Sequence, residues 1–551
     1  MIKKVLLLCF LSVGSMSAQV DSGTITGTLH DSSGAAIADA QVTLIEKSTN
    51  TTTIAPVDKQ GNYVSPPLRV GVYSVVAEAP GFQSQTRADV TLQVQDRRRI
   101  DFTMSIGQVS QNVTITDTAP AIQTDTSALG QVITSKTITA LPLNGRDYVQ
   151  LATLSPGVVS TKTGTNGNTG GSSTGGQSSF AANGARGTMN NFLLDGIDNN
   201  SNDTGGFILR TSVDAIQEFK IQTNSFSAQF GRSGGATINA TIKSGTNAYH
   251  GSVFEFFRNS ALDARDYFED PTSRKASFKQ NMFGATIGGP ILRDKLFWFG
   301  DYQGTVIRNP TTWISSVPTA AQRIGDFSGT GNPIIYDPST YDSATNTRTP
   351  FPGNIIPNGG PGNRVDPLAL AIMNLYPLPN QPGKLKNNYL TTPVADDRID
   401  QGDFRGDYNM SDSNHLFFRW SMSGRTAFNP PPLPGLAGGG GGATGFGFED
   451  TMGASFGVTH TFTPRTVNEF RLGFNHVAIR RGVPLNGNAE PPANLLVPGV
   501  PLNPQTSGIT LFTPSGYRRV GSPGYAPTIL SSQERQITNV VNMVRGKHTL
   551  A

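Results

Sequence analysis

The feature that most constrains this chain is an alternation of apolar and polar residues that recurs in many segments after residue 245. A period of two is that of a β-strand, whose successive side chains point to opposite faces. In one such segment Phe404, Tyr408 and Met410 lie on one face, and the other carries acidic and basic residues. Eight segments of this kind are predicted as strands, near residues 250–257, 279–289, 295–307, 399–409, 415–424, 453–462, 466–480 and 533–543.

Alternation alone does not separate a membrane barrel from a soluble β-sandwich, but the connections between the strands do. Connections of about five residues or fewer alternate with connections of about 20 residues or more. Short turns at one end and long loops at the other are typical of an outer-membrane β-barrel. Phe254, Trp298 and Trp420 lie near the strand ends, where such barrels carry aromatic girdles. We therefore predict that residues 246–551 form an antiparallel barrel sheet.

Composition agrees with an exported all-β chain. It has 62 glycines and 36 prolines, which indicates many turns, and its net charge of +4 gives no reason to expect a nucleic-acid partner.

Residues 1–18 have a basic start, a short apolar run and a small-residue end, as a secretory signal peptide does. The single cysteine, Cys9, lies within it, so the mature chain is expected to have no disulfide and no cysteine metal site.

Residues 22–106 show short alternating runs separated by turn signals, which predict a small antiparallel sandwich of about seven strands. The matching positions follow a pattern that resembles the carboxypeptidase regulatory-like domain: Asp31, Gly34, Ala40, Val42, Gly61, Tyr63, Gly71, Tyr73, Gly81 and Phe82. This resemblance implies an Ig-like, carbohydrate-binding-like fold. A structural scaffold is the favoured interpretation, since a fold alone does not identify a ligand.

Residues 131–245 carry several ordered motifs. They include residues 183–187 (NGARG), 192–196 (FLLDG), 216–221 (IQEFKI) and the glycine-rich stretch 228–245. Together they resemble the plug domain of TonB-dependent outer-membrane receptors, in the spelling of the Oar-like branch. The resemblance implies an α+β plug inside a 22-stranded barrel, with Arg186, Asp195 and Arg232 as candidate ion-pair or ligand residues of the plug. For these three, a structural salt bridge is favoured over ligand contact.

The stretch 107–130 has no core pattern and is predicted to be a linker. Within it, Val113, Thr114, Ile115 and Thr116 resemble the TonB box, a mobile peptide that pairs with the periplasmic protein TonB by strand addition. An extended β-branched segment suits that role, because strand addition relies on main-chain hydrogen bonds.

The resemblance implies a receptor in the outer membrane with its N-terminal domain in the periplasm. Its expected partners are TonB with the inner-membrane energising complex, outer-membrane lipid, the barrel-assembly machinery and an unidentified extracellular ligand. Either uptake or export is compatible with the sequence. Specificity is expected to lie in long loops such as 308–398.

No motif points to catalysis, a cofactor or a metal. Residues 231–235 match G-x-S-x-G, but a strand pattern follows where a nucleophile elbow requires a helix. The six histidines form no close ligand pair. Two alternatives stay open at this point: a secreted or surface β-sandwich adhesin or carbohydrate-binding protein, and a carbohydrate-active enzyme, which would need paired carboxylates in a cleft.

The number of predicted strands is small for the barrel that the resemblance implies. A barrel wide enough to enclose a plug needs about 22 strands. The interior of an eight-stranded barrel is filled by its own side chains. Residues 545–551 read as a turn and the start of another strand. We therefore expect the 551 residues alone to form an incomplete barrel, with unpaired edges that favour aggregation.

Overall fold

The structure is a computed structural model. It describes residues 22–107, 112–116, 128–161, 180–202, 206–226, 231, 234–265, 267, 275, 277–438, 444–463, 466–482, 492–500, 508–522, 527–545 and 548–550. The predicted signal peptide lies outside these residues. None of the helices in the described ranges is long and apolar enough to cross a membrane.

The N-terminal part is a sandwich of two sheets, as the alternating runs predicted. Its strands are β1 (Thr24–Asp31), β2 (Gln41–Glu46), β3 (Thr52–Pro56), β4 (Asn62–Val64), β5 (Gly71–Glu78), β6 (Ser84–Leu92), β7 (Arg97–Arg99) and β8 (Phe102–Met104). One sheet has the order β3-β2-β5-β6, and β1 pairs with β4, β7 and β8 in the other. Apolar side chains such as Ile25, Leu44 and Val75 are fully buried between the sheets.

A ninth strand extends the first sheet. β9 (Asn112–Thr116) lies parallel to β6, with Ser84 opposite Asn112 and Ala88 opposite Thr116. The segment predicted as a mobile peptide within a linker is therefore paired along its backbone. The prediction missed this pairing because the partner strand, β6, lies more than 20 residues earlier in the sequence.

The central domain follows, built from β10 to β16. Its elements are β10 (Leu129–Thr134), α1 (Ser135–Ala140), β11 (Val158–Ser160), β12 (Phe180–Ala182), β13 (Asn191–Leu194), β14 (Ile197–Asp198), β15 (Ile216–Asn224) and β16 (Thr237–Ile242), with 3-10 helices at Asn144–Arg146, Tyr148–Leu154, Gly187–Met189 and Val213–Ala215. Five strands form a mixed sheet in the order β10-β15-β16-β13-β14. This α+β region agrees with the predicted fold class.

The largest sheet, called the wall here, has nine strands within the described residues. They are β17 (His250–Asn259), β18 (Lys279–Leu292), β19 (Leu296–Pro310), β22 (Val394–Ser411), β23 (Asn414–Asn429), β24 (Gly445–Thr463), β25 (Thr466–Gly482), β26 (Thr528–Arg545) and β27 (His548–Leu550). Each pairs antiparallel with the next in chain order. Each of the eight strands predicted from alternation overlaps one of these, but most of the observed strands are longer.

The wall strands extend past the alternating residues into the loops on one side. Segments of two or three residues join the strands at one end, whereas the connections at the other end have 19, 83, 15 and 45 residues. The longest connection contains β20 (Trp313–Ser315), β21 (Tyr389–Thr391), α2 (Ala320–Arg323) and α3 (Pro367–Met373). Two small apolar clusters join it to the loops after β23 and β25. This loop is therefore folded.

Compared with a sheet of a soluble protein, the wall has its apolar side chains on the exposed face and its charged side chains on the buried face. Phe418, Trp420 and Met422 on β23 are 40%, 41% and 58% exposed, whereas Arg419 between them is fully buried. The same inversion holds on its neighbours, where the buried residues include Asp403, Arg405, Asp407, Glu449, Glu469, Arg471 and Asn475. The central domain packs against this polar face, and Phe299, Val477 and Ile479 of the wall join its core. A sheet that exposes aromatic residues and buries charges is suited to lipid on its outer side.

Candidate functional site

The candidate site is centred on a tight turn of the central domain. β13 and β14 pair at Leu194 and Ile197, so Asp195 and Gly196 form a two-residue hairpin loop. Both have positive φ, 50° and 74°, as a type I′ turn requires, and Asp-Gly is a preferred sequence for it. The turn places the Asp195 carboxylate against the wall, where the side chain is fully buried.

Asp195 joins the central domain to three wall strands. Its carboxylate accepts a hydrogen bond from Arg405 Nη1 at 2.8 Å, and its other oxygen lies 3.0 Å from Arg419 Nε. Its carbonyl oxygen accepts a bond from Arg471 Nη1 at 2.9 Å. The Ile242 backbone N–H also donates to the carboxylate, at 3.0 Å. One turn residue thus contacts β22, β23 and β25.

The wall itself orients the Arg405 guanidinium. Asp407, two residues along the same face of β22, accepts from Arg405 Nε at 3.0 Å and from Nη2 at 3.1 Å. This bidentate pairing leaves Nη1 directed at Asp195 and at the Ile242 carbonyl oxygen, 3.2 Å away. Ser244 of the central domain donates to Asp407 at 2.5 Å. We call Asp195, Arg405, Asp407 and Arg419 the latch.

Three arginines and three acidic residues form buried ion pairs in and beside the latch. Arg405, Arg419 and Arg471 face Asp195, Asp407 and Glu469, and each of these side chains is at most 6% exposed. Removing charges from water is expensive, and a buried pair recovers that cost only with good geometry and further hydrogen bonds. Loss of one partner is costly for the same reason, at roughly 3–5 kcal/mol. Removal of any one member of the latch should therefore weaken the attachment of the central domain to the wall.

The N-terminal sandwich also contacts the wall. Arg69 Nη1 lies 3.6 Å from Asp407 Oδ1, which connects the sandwich to the latch. Asn409 of the wall donates to Thr51 Oγ1 at 2.7 Å, and Asn50 donates to Asp294 at 3.1 Å. A cavity of about 660 Å³ lies between the sandwich, the end of β16 and the wall. It lies at the end of the wall that carries the short turns.

A second contact joins the sandwich to the central domain. The Val94 N–H donates to the Glu218 carboxylate, and Lys220 Nζ donates to the Gln95 carbonyl oxygen at 2.9 Å. Glu218, which accepts the first bond, and Lys220, which donates the second, both lie on β15. This strand is next to the edge strand of the central sheet. Burial raises the pKa of Glu218 to about 7, although the Val94 hydrogen bond opposes that rise. Burial also raises the pKa of the nearby Asp96 and lowers that of Lys220.

The residues predicted from sequence are found in different settings. Asp195 is at the centre of the latch. Arg186 is exposed at the start of a 3-10 helix, and no ion pair within the described ranges includes it. Arg232 lies outside the described residues. The backbone of Val113, Thr114, Ile115 and Thr116 forms β9 on the sandwich.

The partners of Asp195 were missed because they lie more than 200 residues away in the chain. A signal was present: Arg405, Asp407 and Arg419 occupy the polar face of strands whose other face is aromatic. Charged residues that point to the inside of a membrane barrel face its lumen. What the sequence does not reveal is which of them meet the central domain.

Buried polar contacts join the central domain to the wall and to the sandwich. Among the residues that the structure describes, no group of three or more His, Cys, Asp or Glu side chains could hold a metal ion. The buried charges of the latch are paired with one another.

Comparison with known proteins identifies the wall. Residues 241–551, more than half of the chain, match the family described as the outer membrane beta barrel domain. The chain belongs to the outer-membrane β-barrel family. Residues 24–105 match the carboxypeptidase regulatory-like domain, in agreement with the sequence-based assignment of the sandwich. The family places this protein in the outer membrane, as predicted.

A curated relative is the TonB-dependent transporter Oar of Myxococcus xanthus. It is 29% identical over 306 residues, which are 53% of this chain and 27% of the relative. The chain therefore spans about a quarter of the length of that transporter.

Solved structures with a similar fold include the outer-membrane transporter YddB of Escherichia coli. It has 11% identity and a TM-score of 0.44, with 75% of this chain and 45% of that chain covered. The ferric enterobactin receptor of Pseudomonas aeruginosa has 13% identity and a TM-score of 0.37, with coverage of 76% and 46%. In each case this chain spans less than half of the solved chain.

Proposed function

We propose that this protein is an outer-membrane receptor for TonB-dependent, energy-coupled transport of an unidentified ligand, and that its central domain is the plug. The observation that carries the proposal is the latch: a folded domain is held against the polar face of a membrane wall by buried ion pairs. Such a domain blocks a lumen while the pairs are intact and leaves it free when they break. The role is non-enzymatic, in keeping with the transporter named above.

The chain has a segment through which force could reach the plug. β9, with the TonB-box-like residues Val113–Thr116, lies just before β10, and β10 is the edge strand of the plug sheet. Among the strands that the structure describes, it pairs there with β15 alone. An edge strand is held by one neighbour, so a pull on β9 would act on the least supported strand of the sheet. TonB is the partner that the sequence resemblance implies for this segment.

The proposal is tested by fixing the plug to the wall. A Cβ at Gly473 of β25 would lie 2.6 Å from Ile197 Cγ2, so the pair Ile197→Cys/Gly473→Cys is close enough for a disulfide after small shifts. Beyond the predicted signal peptide the chain has no other cysteine. The variant is produced in the native bacterium, and growth is measured on a panel of nutrients, with and without TonB.

We expect a nutrient whose use requires both this protein and TonB, and we expect its uptake to stop when the disulfide forms and to recover on reduction. The matched control is Phe456→Cys/Leu472→Cys, which joins β25 to the neighbouring wall strand β24 and leaves the contact between Gly473 and Ile197 unchanged. The control should transport normally in both redox states. Uptake that continues with the plug fixed, or that does not depend on TonB, would contradict the proposal.

A further inference from the structure

The cavity between the sandwich, the end of β16 and the wall is lined by all three folded parts of the chain. Arg69 lines it from the sandwich, Thr241 from the central domain and Phe417 from the wall. Its volume of about 660 Å³ is in the range of sites that hold small organic molecules. It lies at the end of the wall with the short turns, which face the periplasm in outer-membrane barrels. The Arg69 side chain is 38% exposed, so the cavity is open to that side.

Arg69 brings a cation with unused hydrogen-bond donors into the cavity. Its ion-pair partner, Asp407, is 3.6 Å away, which is longer than a hydrogen bond. Asp407 already accepts hydrogen bonds from Arg405 and Ser244. Within the described ranges, the Arg69 guanidinium donates no hydrogen bond. A planar anion such as a carboxylate pairs with a guanidinium of this kind through two parallel bonds.

Two buried hydroxyl groups of the lining also lack a partner. Thr241 is 4% exposed, and its Oγ1 accepts and donates no hydrogen bond among the residues that the structure describes. The same holds for the Ser22 Oγ. Nearly all buried polar atoms in proteins are hydrogen-bonded, either to the protein or to another molecule. Both side chains line the cavity, so each is placed to bond to a molecule within it.

The three acidic side chains of the lining are committed to other partners. Glu46 accepts hydrogen bonds from the Thr49 N–H at 2.7 Å and from its hydroxyl at 2.6 Å. Glu469 is paired with Arg471 at 3.0 Å, and Asp407 belongs to the latch. The groups that the cavity offers to a ligand are therefore mainly donors, and a carboxylate is an acceptor that suits them.

The rest of the lining includes an apolar surface next to Arg69. Leu68 and Val70 flank the arginine in the chain, and Phe417 faces them from the wall. The Phe417 ring is held in place by two guanidinium groups, with Arg405 Cζ 5.2 Å and Arg471 Cζ 5.6 Å from its centroid. A ligand with one charged end and a short apolar body would match this lining.

The segment that carries Arg69 is fixed before any ligand binds. The backbone of Leu68 exchanges two hydrogen bonds with Gly23, at 2.8 and 2.9 Å. The Tyr73 hydroxyl donates to the Arg69 carbonyl oxygen at 2.7 Å. Two prolines precede the segment and restrict its backbone further. Binding would therefore cost little ordering of the chain.

We propose that this cavity is a binding site for a small organic carboxylate from the periplasm, with the carboxylate on Arg69 and the apolar part against Phe417. Arg69 and Phe417 belong to different domains, so the site is complete only while the sandwich is docked on the wall. A bound carboxylate therefore stabilises the docked arrangement. The site goes beyond the proposed transport function, because it requires neither TonB nor the transported ligand.

The test uses two probes of the same shape, para-trifluoromethylbenzoate and the uncharged para-trifluoromethylbenzamide. Binding of each probe to the full-length receptor in lipid nanodiscs is measured by fluorine NMR, with empty nanodiscs as the blank. We expect the benzoate to bind at least about tenfold more tightly than the benzamide, because only the benzoate forms the charged pair with Arg69. The benzoate should also slow hydrogen exchange in residues 47–51, the sandwich turn that contacts the wall.

Two variants assign the binding to this cavity. Arg69→Gln should reduce the affinity for the benzoate to that for the benzamide. Thr241→Val removes a hydroxyl that has no partner among the described residues, so the fold should tolerate it, and benzoate affinity should fall about threefold. The matched control is Arg87→Gln, at a sandwich arginine that does not line the cavity, and it should bind both probes normally.

Three results would overturn the site: no benzoate binding at about 5 mM, equal binding of the two probes, or benzoate affinity that survives Arg69→Gln. An equal loss of benzoate affinity in Arg87→Gln would likewise overturn it, because the attraction would then come from the overall charge of the sandwich. Unchanged affinity in Thr241→Val would contradict the contact with the central domain. None of these results bears on TonB-dependent uptake, which the disulfide between Ile197→Cys and Gly473→Cys tests separately.

Discussion

The strands of the sandwich and of the wall share the same alternation of apolar and polar residues. The sandwich buries the apolar residues of the pattern, whereas the wall buries the polar ones. In the sandwich, the apolar side chains of β2 and β5, such as Leu44 and Val75, are fully buried. In the wall, Trp420 and Met422 are exposed, and Arg419 and Ser421 between them are buried. The sandwich follows the rule for a protein in water, whereas the wall follows the rule for a sheet with lipid outside and polar groups inside.

The difference shows that the two regions are stabilised by different interactions. Apolar burial away from water drives the sandwich to fold. The inner face of the wall instead depends on ion pairs and hydrogen bonds, whose partners come from the central domain as well as from neighbouring strands. The energetic cost of a substitution should therefore depend on the region as much as on the residue type.

The largest effect is expected where the wall contacts the central domain, the proposed plug. Asp195→Ala leaves Arg405 and Arg419 buried without their carboxylate, which should weaken plug docking by roughly 3–5 kcal/mol. Limited proteolysis of the receptor in native outer membranes measures how readily the plug is released. Arg186→Ala, at an exposed plug position, is the control and should leave the cleavage rate unchanged. A plug that stays equally protected without Asp195 would show that the latch contributes little.

The next prediction compares apolar residues in the two regions. Leu44→Ala in the sandwich core should cost about 3 kcal/mol, through lost burial and a cavity. Leu472→Ala on the outer face of the wall creates no cavity and faces lipid, so its cost should be much smaller. Hydrogen exchange read out by mass spectrometry reports the stability of each region separately. Similar losses of protection in the two variants would contradict the assignment of the outer face to lipid.

An added charge should destabilise the outer face of the wall more than the outer face of the sandwich. Trp420→Arg places a guanidinium on the outer face of the wall and should destabilise it by roughly 2 kcal/mol, depending on depth in the bilayer. Thr43→Arg, on the outer face of the sandwich, should change stability by less than about 0.5 kcal/mol. The temperature at which the membrane-inserted wall unfolds, followed by gel mobility, measures the effect of Trp420→Arg. Hydrogen exchange measures the effect of Thr43→Arg. A harmless Trp420→Arg would mean that this face meets water.

The smallest effect concerns the contact between sandwich and plug. Because the pKa of Glu218 is raised to about 7 by burial, the docked state favours the protonated carboxyl. Its contribution is fully present below the ordinary pKa of 4.5 and is lost as the pH rises through 7. Asp96, whose pKa is also raised, acts in the same direction, and Lys220, whose pKa is lowered, is the cation facing both. Between pH 6 and pH 8 docking should weaken by about 1 kcal/mol.

Hydrogen exchange of residues 93–96 as a function of pH measures this change. Glu218→Gln removes the titrating group and should flatten the profile while the Val94 hydrogen bond keeps an acceptor. A profile that keeps its slope in this variant would assign the pH dependence to Asp96 or to another group.

Much of the architecture could be predicted from sequence because it depends on local periodicity. The alternation located the wall strands, and the connection lengths identified their two ends, since a strand and its hairpin neighbour are close in the chain. The Asp-Gly pair at positions 195 and 196 likewise encodes its turn locally. The length of several strands was underestimated, because β22 and β24 continue into loops where alternation is no longer regular.

The sequence by itself therefore determined the β-rich class and the membrane-barrel wall, and it marked Asp195 as a candidate ion-pair residue. The tertiary structure decided the partners: Arg405 and Arg419 for Asp195, Arg69 for Asp407, and β6 for Asn112–Thr116. These pairs join residues separated by 28 to more than 300 positions in the chain. Strand periodicity acts between neighbours, whereas burial of a charge is decided by whichever opposite charge the completed fold brings to it.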